Sequence, residues 1–261
     1  MISVIIPSYR NPEYLELCIE SLLRHQTQKN EIIVVVDGFV DMYSVVLNNY
    51  KQVVKWLWLD ENQGLPMATN VGVYAATNER LLIINEDNVA PLAWDTHLNE
   101  VWEPNTIYAV QQIEPTPSIF NFLHADFGGT PKAFNLDGFT SYEATHRKNW
   151  TTDDSYTLPI FMSKKWYMAT GGWDVSYISP FIVDLDFFLK LELIWSLEFK
   201  RTHNAAFYHF GSRSTKKRAD TQQRDWSAEE TIAAQQFQYK WGVFPRRLHN
   251  NRVDISGLRG M

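Results

Sequence analysis

A chain of 261 residues can form one generous α/β domain or a core domain with a second lobe, and we expect a single domain over residues 1–261. Apolar residues make up 45% of the chain and charged residues 21%, which is typical of a globular protein and argues against disorder. Lys and Arg number 24 against 30 for Asp and Glu, so the net charge of −6 offers no attraction to nucleic acid, and no nucleic-acid partner is expected.

The beginning of the chain predicts a cytoplasmic protein with no integral membrane segment. A strand-like run, Ile2 to Ile6, follows Met1 directly, without the basic and long apolar regions of a secretory leader. The longest comparable run, Ile32 to Val36, is far shorter than the roughly 20 residues of a membrane-spanning helix. Cys18 is the only cysteine, which excludes an intramolecular disulfide, and its apolar helical neighbours favour a buried thiol over a nucleophile.

Residues 1–112 alternate short β-branched runs with helical patterns, which predicts βαβ units and a mostly parallel sheet. The predicted strands are Ser3–Ile6, Ile32–Val36, Val54–Leu59 and Arg80–Asn85. The predicted helices run from Asn11-Pro12 to about Arg24, from just after Asp41, and from about Pro66. The third helix is rich in small residues and can pack closely on the sheet. Asn70 lies inside this helix and, as a packed polar group, needs a partner from the backbone or from a ligand.

Residues 113–261 begin with a long stretch, 113–157, in which the periodicity fails and Pro and Gly recur. The aromatic side chains of this stretch favour ordered structure around an acceptor over a linker. The elements predicted after it are a strand at Leu158–Met162, a Gly171-Gly172 turn, a helix from about Asp184 to Ser196, a strand near Ala205–His209 and a helix from Ser227 to about Trp241.

Polar residues follow each of the first four predicted strands, at the carboxyl edge where parallel sheets bind ligands. The four segments are Pro7-Ser8-Tyr9, Asp37-Gly38, Asp60 to Gly64 and Asn85-Glu86-Asp87-Asn88. Loop solubility would explain any one of them, but four at one edge favour a binding site. Glycine-rich nucleotide motifs, HExxH and paired CxxC are absent from the sequence, which removes P-loop hydrolysis, dinucleotide redox chemistry and the common zinc sites from the leading candidates.

These segments resemble the family-2 glycosyltransferases, inverting enzymes with the GT-A fold, over nearly the whole chain. The matching segments are Ser3 to Tyr9, Val34 to Gly38, Asn62 to Gly64, Ala68 to Gly72, the acidic cluster, Gly171 to Asp174, Asp184 to Asp186, Tyr208 to Ser212 and Tyr239 to Gly242. The resemblance implies an α/β fold with a Rossmann-like, mostly parallel sheet flanked by helices. Residues 1–112 would then be the nucleotide-sugar-binding half, and residues 113–261, with the C-terminal helix, the acceptor-binding half.

The resemblance also implies where the donor binds, a nucleoside-diphosphate sugar with uridine favoured over other bases. Asp37 would accept a hydrogen bond from the base, although Asp37-Gly38 could also be only a turn. Arg213 belongs to a basic stretch that could pair with the phosphates or be solvated loop charge. The complete set of expected donor-binding residues is Pro7, Ser8, Tyr9, Asp37, Asn62, Gly64, Asn70, Glu86 and Arg213.

The acidic cluster occupies the place of the family's DxD motif, which implies a divalent cation, Mn²⁺ or Mg²⁺, against the donor diphosphate. Asp87 is the expected carboxylate ligand, and His209 stands where the family has a late metal-binding histidine. Without the resemblance, a lone histidine is more often a core or surface residue. Asn85 replaces the first aspartate of the motif, so metal affinity could be weaker than in a full DxD site.

On the acceptor side, Val183-Asp184 takes the place of the family's Glu-Asp pair. Asp184 is therefore the expected general base, which takes the proton from a glycan or other hydroxyl acceptor. The alternative for Asp184 is a helix N-cap. Asp186 is a second acceptor-side candidate, and Trp173 could either stack on a sugar ring or belong to the core.

Three functions stay open from the sequence. The first is a metal-dependent inverting transfer of a hexose-type sugar to a hydroxyl acceptor. The second is a non-catalytic nucleotide-sugar or glycan-binding module with the same fold, which the departures at Asn85 and Val183 motivate. The third is a sugar nucleotidyltransferase, which would form nucleotide sugars instead of consuming them.

Overall fold

A curled, mostly parallel sheet organises the fold. The computed structural model describes residues 1–118, 120–154, 157–177, 180–194, 196–211, 226–246, 248, 252–254 and 256. Within these residues ten strands form one sheet in the order β3-β2-β1-β4-β9-β6-β10-β5, with β7 beside β6 and β8 beside β10. The strands are β1 Ile2–Ser8, β2 Glu31–Asp37, β3 Lys55–Leu59, β4 Arg80–Ile83, β5 Asn88–Val89, β6 Thr106–Glu114, β7 Leu123–His124, β8 Thr151–Thr152, β9 Ile160–Ser163 and β10 Glu198–His209.

Helices cover both faces of this sheet. They are α1 Pro12–His25, α2 Ser44–Tyr50, α3 Leu65–Ala75, α4 Trp94–Glu100, α5 Leu136–His146, α6 Lys164–Ala169, α7 Pro180–Glu192 and α8 Trp226–Trp241, with 3-10 turns at Val40–Tyr43 and Pro131–Ala133. Because successive side chains of a strand point to opposite faces, Ile5 belongs to one core cluster, whereas Val4 and Ile6 belong to the other. Among the residues described, none of the helices is both long and apolar enough to span a membrane.

The first four strands confirm the predicted βαβ organisation. β1 pairs in parallel with β2 and with β4, and β2 pairs in parallel with β3. Every residue of β1 is buried, which is the pattern of a central strand covered on both sides. Pro7 lacks an N–H, but it lies beyond Ile5, where the pairing with β4 ends. β1 runs through Ser8, so Pro7 and Ser8 are strand residues and the turn begins after them.

The second half of the chain departs from the prediction in three places. Strand β6 was not predicted, because the polar pair Gln111-Gln112 interrupts its apolar run, and the expected boundary after residue 112 falls inside it. Helix α5 lies within the stretch expected to be irregular. It begins at the cap residue Asn135, whose side chain accepts a hydrogen bond from the Gly138 N–H at 3.0 Å. Helix α7 begins at Pro180, so Asp184 is its fifth residue and the N-cap alternative is wrong.

The aromatic residues of the 113–157 stretch form an ordered cluster at the carboxyl end of β10. Tyr208 is fully buried there, and Phe134 lies 5.0 Å from it between ring centroids. Phe127 and Phe139 pack around the same ring at 5.8 and 6.1 Å. The predicted order of this stretch is therefore confirmed for the residues described.

Asn70 joins helix α3 to the turn that precedes α7. Its side-chain oxygen accepts hydrogen bonds from the Tyr167 hydroxyl at 2.6 Å and the Trp173 N–H at 2.9 Å, and its Nδ2 donates to the Trp173 carbonyl at 2.8 Å. The partners of Asn70 are thus protein groups. Gly72, on the same helix, allows the predicted close packing, since a Cβ there would lie 2.5 Å from Ile5.

The two glycines of the turn provide a matched test of this junction. Gly171 and Gly172 have φ values of +74° and +76°, so alanine would be strained equally at both positions. A Cβ on Gly172 would also lie 2.4 Å from the Asn70 oxygen, whereas a Cβ on Gly171 would meet nothing within 4 Å. We expect Gly172→Ala to lower the free energy of unfolding by about 1–3 kcal/mol more than Gly171→Ala, measured by chemical denaturation. Equal losses would show that Asn70 does not require the close approach.

A second test concerns Glu143 on α5, which is 1% exposed and accepts a hydrogen bond from the Ala206 N–H at 3.2 Å. Ala206 lies where the register of β10 shifts. Burial raises the pKa of the Glu143 carboxyl to about 7 from 4.5, against the opposing effects of Arg147 and the Ala206 N–H. The folded state therefore binds the Glu143 proton more tightly than the unfolded chain, and its contribution to stability declines as the pH rises from 4.5 to about 7.

Glu143→Gln removes this titration. We expect the free energy of unfolding of the variant, relative to the parent, to improve by up to about 3 kcal/mol across that pH interval. Denaturation curves at pH 5 and pH 8 measure the change. Asp137→Asn, on an exposed position of the same helix, is the matched control and should show no such dependence. A pH-independent difference between Glu143→Gln and the parent would contradict the raised pKa.

Candidate active site

The acidic segment Asn85 to Asn88 connects β4 to β5 at the carboxyl edge of the sheet. Glu86, 2% exposed, accepts hydrogen bonds from the Tyr9 N–H at 2.8 Å and from Asn11 Nδ2 at 2.7 Å. Asn88 Nδ2 donates to the Tyr208 carbonyl at 3.2 Å. The segment is therefore tied on one side to the turn after β1 and on the other side to β10.

Asp87 and His209 come together at this edge, as predicted for the two metal-site residues. The Oδ1 atom of Asp87 lies 3.3 Å from Nε2 of His209, and the Asp87 carbonyl accepts a hydrogen bond from the Phe210 N–H at 3.1 Å. Nδ1 of His209 lies 2.7 Å from Oε1 of Glu114, the last residue of β6. Residues from β6, β10 and the loop after β4 thus form the chain Asp87–His209–Glu114.

The charge of His209 follows from these two carboxylates. Burial on its own disfavours the imidazolium, but Asp87 and Glu114 outweigh burial and raise the pKa of His209 to about 10. The three side chains are buried or nearly so, with side-chain exposures between 5% and 14%. A positive charge between the carboxylates therefore stabilises the edge of the sheet, since water screens them little.

The same atoms suit a divalent cation. Asp87 offers a hard carboxylate oxygen and His209 offers Nε2, while Glu114 binds the opposite ring nitrogen and orients the imidazole, which is the arrangement found behind metal-bound histidines. In the described part of the chain, no group of three or more His, Cys, Asp or Glu side chains is arranged as a metal cage. A cation at this edge would therefore need further oxygen ligands from a bound substrate or water.

Asp37 shapes the loop after β3. Its two carboxylate oxygens accept hydrogen bonds from the N–H groups of Gln63 at 2.6 Å and Gly64 at 2.9 Å. The neighbouring Gly38 has φ +79°, and a Cβ there would lie 3.0 Å from the nitrogen of Asn62. These contacts bring together the predicted donor residues Asp37, Asn62 and Gly64.

The other residues predicted for the nucleoside pocket lie beside this loop. Ser8 is 2% exposed, and its hydroxyl lies 2.9 Å from that of Tyr43. Tyr9 is 9% exposed and contacts Phe39 edge to face, with ring centroids 5.8 Å apart. The carboxyl ends of β1, β2 and β3 thus meet in one region, as the predicted parallel order requires.

Asp184, the predicted base, is half-buried on α7. Its Oδ1 accepts a hydrogen bond from the Leu185 N–H at 2.8 Å. Val183, in the position of the family's glutamate, is fully buried in the core. The carboxylate of Asp184 therefore lies on the more exposed side of a helix whose opposite side packs in the interior.

Asp186 is an internal ionic anchor, which corrects its expected placement facing an acceptor. Its side chain is 0% exposed, and Oδ1 accepts hydrogen bonds from Trp241 Nε1 at 2.8 Å and Tyr177 Oη at 3.3 Å. Lys240 lies 2.8 Å from Oδ1, and Lys190 lies 3.5 Å from Oδ2. These contacts join α7 to α8.

The tryptophan predicted on the acceptor side belongs to the core. Trp173 is 2% exposed and packs against Phe187 in the core, so the core alternative holds and its ring is not open to a sugar. Arg213 lies outside the described residues. Glu86 lies at the expected edge, and the described contacts of both Glu86 and Asn70 join protein segments to one another.

Glu114 is the site residue that the sequence reasoning missed. It follows a buried strand directly, as Asp37 and the acidic cluster do, and this rule would have identified it once β6 was recognised. The strand was missed because Gln111 and Gln112 are buried by tertiary contacts. Gln111, for example, donates from Nε2 to the Asn121 carbonyl at 3.3 Å.

The chain is similar to known proteins that are described as glycosyltransferases. Residues 3–163 match the family model described as glycosyl transferase family 2. The glycosyltransferase GlyG of Streptococcus pneumoniae is 30% identical over 92 residues, which cover 34% of this chain and 31% of that protein. An uncharacterized glycosyltransferase of Haemophilus influenzae is 27% identical over 201 residues, covering 73% of this chain and 62% of that protein. The chain thus spans about a third of GlyG and less than two thirds of the second relative.

Solved structures share the fold. Residues 1–349 of TarS from S. aureus superpose with a TM-score of 0.57 at 15% identity, covering 92% of this chain and 72% of that one. The mannosyltransferase PcManGT from Pyrobaculum calidifontis, in complex with GDP-Man and Mn²⁺, gives a TM-score of 0.59 at 12% identity, covering 92% and 63%. At such identities the likeness shows the fold, and it confirms the predicted GT-A-like architecture with a mostly parallel sheet. Since the family model covers more than half of the chain, the protein belongs to glycosyl transferase family 2.

Proposed function

We propose that the protein is a metal-dependent, inverting glycosyltransferase that moves a sugar from a nucleoside-diphosphate sugar to a hydroxyl acceptor. The observation that carries this proposal is the Asp87–His209–Glu114 chain at the carboxyl edge of the sheet. TarS has been solved in complex with UDP-GlcNAc and PcManGT with GDP-Man and Mn²⁺, which supports a nucleotide-sugar donor and a divalent cation. We keep uridine as the favoured base and a glycan or other hydroxyl compound as the acceptor.

Asp87 and His209 would hold the cation, Mn²⁺ or Mg²⁺. When bound, the ion would neutralise the charge that develops on the leaving nucleoside diphosphate. Asp87 contributes the carboxylate, and Glu114 keeps the imidazole of His209 oriented by accepting from Nδ1. Since Nε2 ligates a metal only without its proton, cation binding and protonation of His209 compete. With Asn85 in place of an aspartate, the protein supplies one carboxylate fewer than a full DxD site.

Asp184 would act as the general base. Its carboxylate takes the proton of the acceptor hydroxyl while that oxygen forms a bond to the anomeric carbon. The bond from the anomeric carbon to the diphosphate oxygen breaks at the opposite face, and its electron pair leaves with the diphosphate. The configuration at the anomeric carbon is thereby inverted. Half-burial on α7 leaves part of the Asp184 carboxylate exposed, as a base that meets an acceptor requires.

The same residues also allow a non-catalytic binding module, because Asn85 and the buried Val183 replace acidic residues of the family pattern. Incubation with a panel of nucleotide sugars and acceptors separates the two functions. Release of nucleoside diphosphate with a glycosylated product supports transfer, whereas binding without release supports the module. Release of pyrophosphate from a nucleoside triphosphate would instead support a nucleotidyltransferase.

The metal assignment predicts that UDP binds more tightly with Mn²⁺ than without it, and that Asp87→Asn abolishes this difference. Titration calorimetry with and without Mn²⁺ measures it. Asp60→Asn, which removes an exposed carboxylate at the same sheet edge, is the matched control and should keep the Mn²⁺ effect. Equal affinity of the parent with and without Mn²⁺ would refute the metal site.

The base assignment predicts that Asp184→Asn lowers kcat by about 10²–10⁴-fold, because the loss of one general base has this typical effect. The variant should bind UDP with Mn²⁺ within about twofold of the parent, because Asp184 acts on the acceptor side. Steady-state kinetics and calorimetry on the same preparations separate the two quantities. Unchanged turnover in Asp184→Asn would assign the base to another residue.

A further inference from the structure

The turn after β2 holds an exposed aromatic ring in a strained backbone. Phe39 is 49% exposed and has φ +55°, in the left-handed region that costs a bulky residue about 1–2 kcal/mol. Arg10, at the end of β1, has φ +60°, and its guanidinium lies 4.5 Å above the centroid of the Phe39 ring. Two strained residues from neighbouring loops therefore contact each other at one point of the sheet edge.

Surrounding contacts hold this arrangement in place. The fully buried Tyr43 follows Phe39 in the 3-10 turn, and the Phe39 carbonyl accepts from the Met42 N–H at 3.1 Å. The Tyr43 hydroxyl lies 2.9 Å from that of Ser8 and accepts from the Asn11 N–H at 3.4 Å, which fixes the turn that carries Arg10. Backbone strain that the environment enforces is typical of ligand sites.

The position of the ring indicates the kind of ligand. Phe39 comes two residues after Asp37, and its ring meets that of Tyr9 edge to face. The Tyr9 N–H is in turn held by Glu86, next to Asp87. The aromatic end of the edge is thus joined through Tyr9 and Glu86 to the end that suits a cation and a diphosphate. A nucleoside diphosphate has the same order of groups, with a flat base at one end and phosphates at the other.

We propose that Phe39, supported by Arg10, is the stacking surface for the nucleobase of the donor. This inference rests on the proposed function and adds to it a residue that contributes affinity for the donor. Stacking on an aromatic ring uses the π-face that every base has, so Phe39 contributes affinity for the base without distinguishing uracil from guanine. The distinction between bases then falls to protein groups that meet the edge of the base rather than its face.

The test compares substitutions of Phe39 that keep or remove a flat ring. We expect Phe39→Leu to weaken the binding of UDP and GDP about tenfold each in the presence of Mn²⁺, and Phe39→Trp to keep the parent affinity, measured by titration calorimetry. Met42→Ala, at a position 44% exposed in the same turn, is the matched control and should bind as the parent does. Equal UDP affinity of Phe39→Leu and the parent would overturn the inference and leave the proposed function standing.

A stability measurement separates a binding role from a structural one. Phe39→Gly relieves the left-handed strain, so we expect a higher melting temperature than the parent together with the loss of UDP affinity. A lower melting temperature with lost affinity would show that Phe39 supports the fold, and the inference would fail. If the parent itself binds neither UDP nor GDP with Mn²⁺, the proposed function fails first, which is a different result from a parent that binds and a Phe39→Leu variant that binds equally.

Discussion

The imidazole of His209 between two carboxylates is the interaction on which the active edge of this sheet depends. Asp87, His209 and Glu114 come from three different segments, and their carboxylates lie on opposite sides of one ring. The buried carboxylates of Asp87 and Glu114 would repel each other, because little water is present to screen them. A positive charge between them removes this unfavourable energy. The His209 imidazole supplies this positive charge when it is protonated. A divalent ion can supply it when the ring is neutral. The same arrangement therefore stabilises the fold and prepares the site.

A second constraint is that polar groups buried in the interior must find partners. Asn70 satisfies its side chain with Tyr167 and the backbone of Trp173, and so connects α3 to the turn before α7. Asp186 pairs with Lys190 of α7 and accepts a hydrogen bond from Trp241 of α8. Because a buried polar group without a partner costs about 1–3 kcal/mol, such residues hold their elements in one relative position. Asp186 belongs to the same helix as Asp184, so its contacts with α8 hold the helix that carries the proposed base in place.

Several residues that match the family pattern make contacts that hold protein segments together. Glu86 fixes the turn after β1 and Trp173 packs in the core. By contrast, Phe39 and Arg10 lie outside the sequence motifs that match the family. Both residues have a positive φ and lie in the exposed part of the edge. A sequence motif shows which residue types occur together in a fold. The contacts and the exposure of each side chain are needed to tell residues that hold the site together from residues that are open to solvent there.

The sequence by itself determined the family, the parallel order of the first four strands and the edge at which the site lies. These features are local: β-branched runs, helix-start residues and polar residues after strands can each be read within about ten positions. Tertiary structure decided what depends on distant partners. Strand β6 is hidden in the sequence because Gln111 and Gln112 are polar and pair with Ala206 and Phe207 of β10, far along the chain, and Glu114 was missed with it. The start of α7, the partners of Asn70 and the charge of His209 likewise follow from groups that meet only when the sheet is assembled.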